Sequence, residues 1–194
     1  NLMNQEQIDR FADFRKRLPA AKTSIGNSAG LLMGQQFRGD LVRPGIALYG
    51  GNPFVEPPNP VEPVISLQAP ILQVQEVTRP VTVGYGAEKL ISAPARLATI
   101  GVGYADGIPR ALGNRGEAYI AGQRVPMVGR ISMDLLSLDV TAVARQDVYP
   151  GASVELIGSN VLLDDVAVAA GTISYEILTG LGNRWERRYI GNGH

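Results

Sequence analysis

The sequence contains no cysteine, which removes disulfides, thiolate metal ligands and thiol nucleophiles together. That absence suits a reducing compartment, and the expected location is the cytoplasm. The one histidine, His194, is the last residue and follows Gly191-Asn192-Gly193, so it reads as a loose end. No His/Asp/Glu constellation suggests a metal, and none is expected. Lysine is scarce as well: only Lys16, Lys22 and Lys89 are present. Neither sign of charge is in excess, with 18 basic and 18 acidic residues. Without a basic stripe, nucleic acid is not an expected partner. No apolar run approaches the roughly 20 residues that span a bilayer, so no membrane role is expected. The start, Asn1-Leu2-Met3-Asn4, resembles neither a signal peptide nor an ordinary initiation, and suggests a chain entered partway along a longer one.

What is present divides in two. Ile8, Phe11, Phe14 and Leu18 recur at helical spacing and predict a helix over 4–18, opened by Asn4 with Gln7 as a capping box and stopped by Pro19. A short extended run over 23–26, a helical piece near 31–33 and a second extended run over 40–43 follow. This alternation is that of a βα array. Residues 52–63 then carry five prolines, which exclude both a helix and a central strand. A domain boundary is expected there, dividing 1–62 from 63–194.

Beyond it the pattern is β. Strands are expected over 64–77, 81–85, 95–102, 118–121, 124–128, 131–140 and 153–157, with a hairpin turn at Ala121-Gly122-Gln123-Arg124. Asp164-Asp165 should cap a short helix through Ala170, and a second should run from Ser174 to Leu181 with Gly182 as its stop.

Several strand ends carry residues suited to chemistry. Asn27-Ser28-Ala29-Gly30 offers a hydroxyl and free N–H groups where a helix begins, the usual means of holding a phosphate; the same residues also suit a plain helix cap. In Val42-Arg43-Pro44-Gly45-Ile46-Ala47-Leu48-Tyr49-Gly50, Gly45 permits close backbone approach to a ligand. Tyr85 sits between glycines in Val83-Gly84-Tyr85-Gly86-Ala87. Two more junctions are Gly101-Val102-Gly103-Tyr104-Ala105-Asp106-Gly107 and Gly129-Arg130-Ile131-Ser132-Met133-Asp134, and Ile173-Ser174-Tyr175-Glu176 opens the last helix.

Taken in this order, the motifs resemble the C-terminal portion of alanine racemases, a pyridoxal 5'-phosphate (PLP) family, over about residues 4–190. The resemblance implies a mainly β fold: an alanine-racemase-type C-terminal β domain over 63–194, preceded over 1–62 by two βα units of an incomplete (β/α)8 barrel. It implies PLP as cofactor, with Ser28, Gly45 and Ile46 at the phosphate, Asn27 beside it, Tyr175 meeting it through its hydroxyl, and Arg43 facing the pyridine nitrogen. An arginine there stays protonated and cannot give the ring a full proton, so the cofactor remains a weaker electron sink, which suits racemisation over side reactions. The implied catalytic acid/base is Tyr85. Tyr104, Met133 and Asp134 are implied to line the substrate entrance, with Met133 near the substrate carboxylate.

The implied activity is the interconversion of L- and D-alanine by two-base proton transfer, supplying D-alanine for peptidoglycan. The implied assembly is a homodimer with shared sites, Tyr85 serving the partner's PLP. Two things depart from the family pattern. Lys16, Lys22 and Lys89 do not sit in a family PLP-lysine motif, and no histidine is suited to stand beside Tyr85. The chain by itself is therefore expected to be inactive. Two alternatives remain: a non-catalytic structural or dimerisation fragment, and a related PLP decarboxylase, whose β domain uses a cysteine that this chain lacks.

Overall fold

The computed structural model describes residues 2–54 and 56–191; His194 lies outside them. The chain divides into two compact units, Asn1–Glu62 and Pro63–His194.

In the first unit, helix α1 (Leu2–Arg15) begins earlier than its apolar spacing suggests. Asn4 is therefore inside the helix and caps nothing; its side-chain amide donates instead to Met33 Sδ at 3.7 Å. None of α1's residues is fully buried, and Phe14 and Leu18 are exposed. Helix α2 (Ser28–Met33) starts at the small polar motif, with Asn27 as its cap.

The two expected strands are reduced to isolated bridges, Ser24 with Gly39 and with Leu41. The segments pair over only a few residues, through Asp40 N–H and Leu41 N–H to Thr23 O and Arg43 N–H to Gly26 O. Too few rungs form for a ladder. Side chains help hold the pair: Asp40 accepts from both the N–H and the hydroxyl of Thr23, each at 2.7 Å.

The second unit is built around a closed six-stranded antiparallel barrel. Its strands are β1 (Leu67–Val77), β4 (Ala95–Ile100), β5 (Glu117–Ile120), β6 (Gln123–Val128), β7 (Leu136–Asp139) and β8 (Ser153–Ile157), in spatial order β1-β4-β7-β6-β5-β8. A two-stranded hairpin, β2 (Val81–Val83) and β3 (Lys89–Ile91), lies apart from that order. The 11-residue β1 serves two neighbours: its N-terminal end pairs with β8 and its C-terminal part with β4. Closure leaves the barrel strands no free edge.

Ala98, Ile100, Ala118, Leu138, Val140 and Val154 are fully buried in the core. A second apolar cluster joins Val77, Ile91, Ala95, Leu97 and Val128, with Val81 and Val83 packed on it. The hairpin thus covers one face of β4, which explains why β4 is buried almost throughout instead of alternating. Arg96 is buried within it, and its guanidinium donates to the carbonyls of Val140, at 2.9 Å, and Val143. Those acceptors make a buried cation tolerable. Helices α3 (Leu163–Ala170) and α4 (Ser174–Gly180) pack on each other.

Further expectations change in the second unit. The strand expected over 81–85 stops at Val83, because positive φ at Gly84 and Gly86 bends the chain into a short 3₁₀ turn. Residues 89–91, for which no strand was expected, form β3, which carries Lys89. The strand expected over 131–140 forms only over 136–139, because residues 132–135 fold into a tight turn closed by the Ser132 hydroxyl. Asp164 and Asp165 stand in the first turn of α3 and do not cap it; Asp164 accepts from the Ser174 hydroxyl at 2.5 Å. Among the described residues, no helix is long and apolar enough to cross a membrane, and no three His, Asp or Glu residues are grouped to hold a metal.

Two predictions follow from these elements. The β5–β6 turn has Ala121 at φ 48° and Gly122 at φ 87°, the signature of a type I′ hairpin. Ala121→Gly should raise stability by about 0.5–1 kcal/mol in urea unfolding, since alanine is strained there. The hydrogen bonds from Thr23 hold the Asp40 carboxyl below the usual carboxylate range. The stabilisation from Asp40 is therefore present above about pH 4 and is lost as pH falls through the lowered value. Asp40→Asn should flatten the acid side of the stability profile of the first unit, measured by circular dichroism.

Candidate active site

The first unit carries a small polar cradle. Asn27 Oδ1 accepts from Gly30 N–H at 2.9 Å, so the cap of α2 is Asn27. Ser28 is then free to face inward, and it is 2% exposed. Its Oγ accepts from Gly45 N–H at 2.8 Å and from Ala47 N–H at 3.3 Å, tying both motifs together through one hydroxyl. Ile46, whose N–H lies between those two donors in the chain, is buried. Among the described residues, the N–H groups of Ser28, Ala29 and Ile46 make no hydrogen bond to protein. A Cβ placed on Gly45 would meet nothing within 4 Å, so the backbone there faces open space. These N–H groups and the remaining Ser28 proton are donors of the kind a phosphate accepts from. Arg43 is exposed, and its Nη1 is held by Ser24 through the carbonyl at 2.9 Å and the hydroxyl at 2.5 Å.

The second unit presents Tyr85, Tyr104, Met133 and Asp134 on loops at one end of the barrel. Antiparallel pairing of Ile100 with Leu136 puts the segment after β4 beside the segment before β7. Pairing of Val128 with Ser137 brings the end of β6 to the same place. Tyr104 N–H donates to Ser132 O at 3.0 Å and Ala105 N–H to Met133 O at 2.9 Å, so Tyr104 and Met133 are brought together. This needs glycine at 103, where a Cβ would lie 2.4 Å from Met133 O.

Tyr85 opens the 3₁₀ turn after β2 and is 72% exposed. Its turn rests on the Gly129-Arg130 backbone: a Cβ on Gly84 would stand 2.6 Å from Arg130 N. The Arg130 guanidinium grips Glu88 with both its Nε, at 2.8 Å, and its Nη2. Tyr175 is half exposed in the first turn of α4, and among the described residues its hydroxyl makes no hydrogen bond to the other candidates.

Sequence reasoning gave no role to Glu88, Arg130, Asp106 or Arg184. Arg130 and Asp106 lie inside quoted motifs, but their partners are distant in sequence, and Arg184 carries no local signal. Arg184 reaches Asp134 Oδ1 from Nη1 at 2.8 Å and Asp106 Oδ1 from Nε at 3.2 Å. The hydrogen bond to Asp134 and the charge of Asp106 raise its pKa above the ordinary arginine value.

Gly84 and Gly122 both have positive φ, but only Gly84 meets backbone. Gly84→Ala should therefore lower stability by about 2 kcal/mol or more beyond Gly122→Ala, measured by denaturant midpoint.

Comparison with known proteins gives one family throughout. The alanine racemase C-terminal domain matches residues 64–189, and the alanine racemase N-terminal domain matches residues 1–53. Alanine racemase of Rhodospirillum rubrum is 48% identical over 189 residues, covering 97% of this chain and 50% of that protein. The enzyme of Methylobacterium nodulans is 52% identical over 184 residues, with 95% and 50% coverage. The crystal structure of alanine racemase from Bartonella henselae, which has covalently bound pyridoxal phosphate, superposes with a TM-score of 0.91 at 42% identity, covering 98% of this chain and 53% of that one. The chain spans about half the length of the curated relatives it matches. The chain belongs to the alanine racemase family.

Proposed function

We propose that these two units form the C-terminal part of a PLP-dependent alanine racemase, a cytoplasmic enzyme interconverting L- and D-alanine. The observation that carries the reading is the Ser28 hydroxyl, buried and shared by Gly45 and Ala47 beside the unpaired N–H of Ile46. In this reading residues 1–62 are two βα units of a larger (β/α)8 barrel, and 63–194 are the C-terminal β domain.

PLP, when bound, supplies the electron sink that makes the α-hydrogen of an amino acid acidic. Ser28, Gly45 and Ile46 would hold its phosphate, with Asn27 shaping the start of α2 beside it, and Tyr175 would contribute a hydroxyl. Arg43, fixed by Ser24, would face the pyridine ring. Tyr85 exchanges the proton on one face of Cα, and its exposure leaves the hydroxyl accessible. Tyr104, Met133 and Asp134 line the way in for alanine.

The opposite face needs a second base. Lys16 is bound to Asp13 at 2.8 Å just past α1, Lys22 is exposed ahead of Thr23, and Lys89 is an exposed residue of β3; none of the three lies in a family PLP-lysine motif. The base is therefore assigned to a lysine beyond these residues, and the chain alone is inactive. The exposed side chains of Tyr85, Tyr104, Met133 and Leu135 suit a homodimer in which Tyr85 acts at the partner's cofactor.

PLP added to the chain should quench its tyrosine and tryptophan fluorescence at lower concentration than pyridoxal does, and Ser28→Ala should erase that difference. Equal response to both compounds would reject the phosphate cradle. In the intact enzyme containing these units, Tyr85→Phe should cut racemisation about 10²–10⁴-fold in circular-dichroism assays.

A further inference from the structure

Residues after α4 form a strap over the two loops that carry Tyr104 and Met133. The strap is fastened at three points. Arg184 bridges Asp106 on one loop and Asp134 on the other. Trp185 Nε1 donates to Asp106 O at 2.6 Å. The backbone at Leu181 lies so close to Gly107 that a Cβ on Gly107 would stand 2.9 Å from Leu181 Cα.

The two carboxylates differ in setting. Asp106 is buried, and its Oδ2 is already spent on Gly103 N–H at 2.8 Å. Asp134 is half exposed at the tip of its loop. Gly103 is the residue pressed against Met133, so Asp106, which accepts from Gly103 N–H, braces one side of the contact between the loops, and Asp134 belongs to the other loop. An arginine can hold both at once because its guanidinium presents several donors in a fixed fork; a lysine is a single point charge. Most exposed ion pairs contribute little, but this one neutralises a carboxylate that is largely withdrawn from water.

We infer that Arg184 is a positioning residue for substrate access: by joining Asp106 to Asp134 it secures the backbone contacts that space Tyr104 from Met133. The inference rests on the reading of those two residues as the substrate entrance. Arg184 itself touches no reacting atom. Its loss should therefore weaken capture of alanine and leave the proton-transfer step, which belongs to Tyr85, nearly intact.

The test is made in the intact enzyme with Arg184→Gln and Arg184→Lys, read by steady-state kinetics and by hydrogen exchange of the peptides covering 101–108 and 117–128. Arg184→Gln should raise KM for alanine about five- to tenfold with kcat within about twofold. Exchange in 101–108, where the amides of Tyr104 and Ala105 are bonded across the loops, should quicken about tenfold while 117–128 is unchanged. Arg184→Lys should fall between parent and Gln in both readouts. An unchanged KM, a kcat loss in place of the KM rise, or faster exchange in both peptides overturns the inference, the last because it marks a general loss of stability. Tyr85→Phe assayed alongside keeps the two readings apart. Full turnover in that variant would overturn the two-base reading, while the exchange comparison would still decide whether Arg184 joins the loops.

Discussion

The second unit depends on the closure of its barrel by one long strand. β1 is 11 residues long and pairs with β8 at its N-terminal end and with β4 along the rest. Once it does, every barrel strand has two neighbours, and the backbone polar groups of the core are satisfied without water. Closure also fixes where the connections emerge. With β4 and β7 antiparallel and β6 beside β7, the segments at 101–107, 129–130 and 131–135 must gather at one end. The candidate residues are near one another because of strand pairing, before any side chain interacts.

Backbone contact then sets the finer spacing. The Tyr85 turn lies on Gly129-Arg130, and the Tyr104 loop on Met133, at distances that admit no Cβ at Gly84 or Gly103. Main chain on main chain is a stiff way to hold a side chain, since no rotamer can relax it. Ion pairs are laid over these contacts: Arg130 with Glu88 beside the tyrosine turn, and Arg184 with Asp106 and Asp134 across the entrance loops. The polar cradle of the first unit follows another logic. There one hydroxyl, Ser28, does the joining, and Asn27 takes over the cap so that the serine can turn inward.

Much of this was legible beforehand. The barrel strands β5, β6 and β8 fell within a residue of expectation because alternation and turn residues mark them locally. The proline tract at 52–63 spans the division between the two units for a similarly local reason: proline cannot join a ladder or a helix interior. The β2–β3 hairpin was half missed. Lys89-Leu90-Ile91 is too short to show a period, and it becomes a strand only because Ile91 can pack on Val77 and Leu97. The strands expected over 23–26 and 40–43 shrank to bridges, since alternation cannot reveal how many rungs will form.

Sequence alone determined the chemistry on offer: a tyrosine between glycines, a serine at a helix start, an arginine before Pro-Gly, and no cysteine at all. It did so because these properties belong to single residues and their immediate neighbours. The tertiary structure decided the partnerships. That Ser28 serves Gly45, that Arg130 grips Glu88 across 42 residues, and that Arg184 spans Asp106 and Asp134 are facts of pairing register and chain closure. Such contacts join residues far apart in the chain, and no local pattern encodes the distance between them.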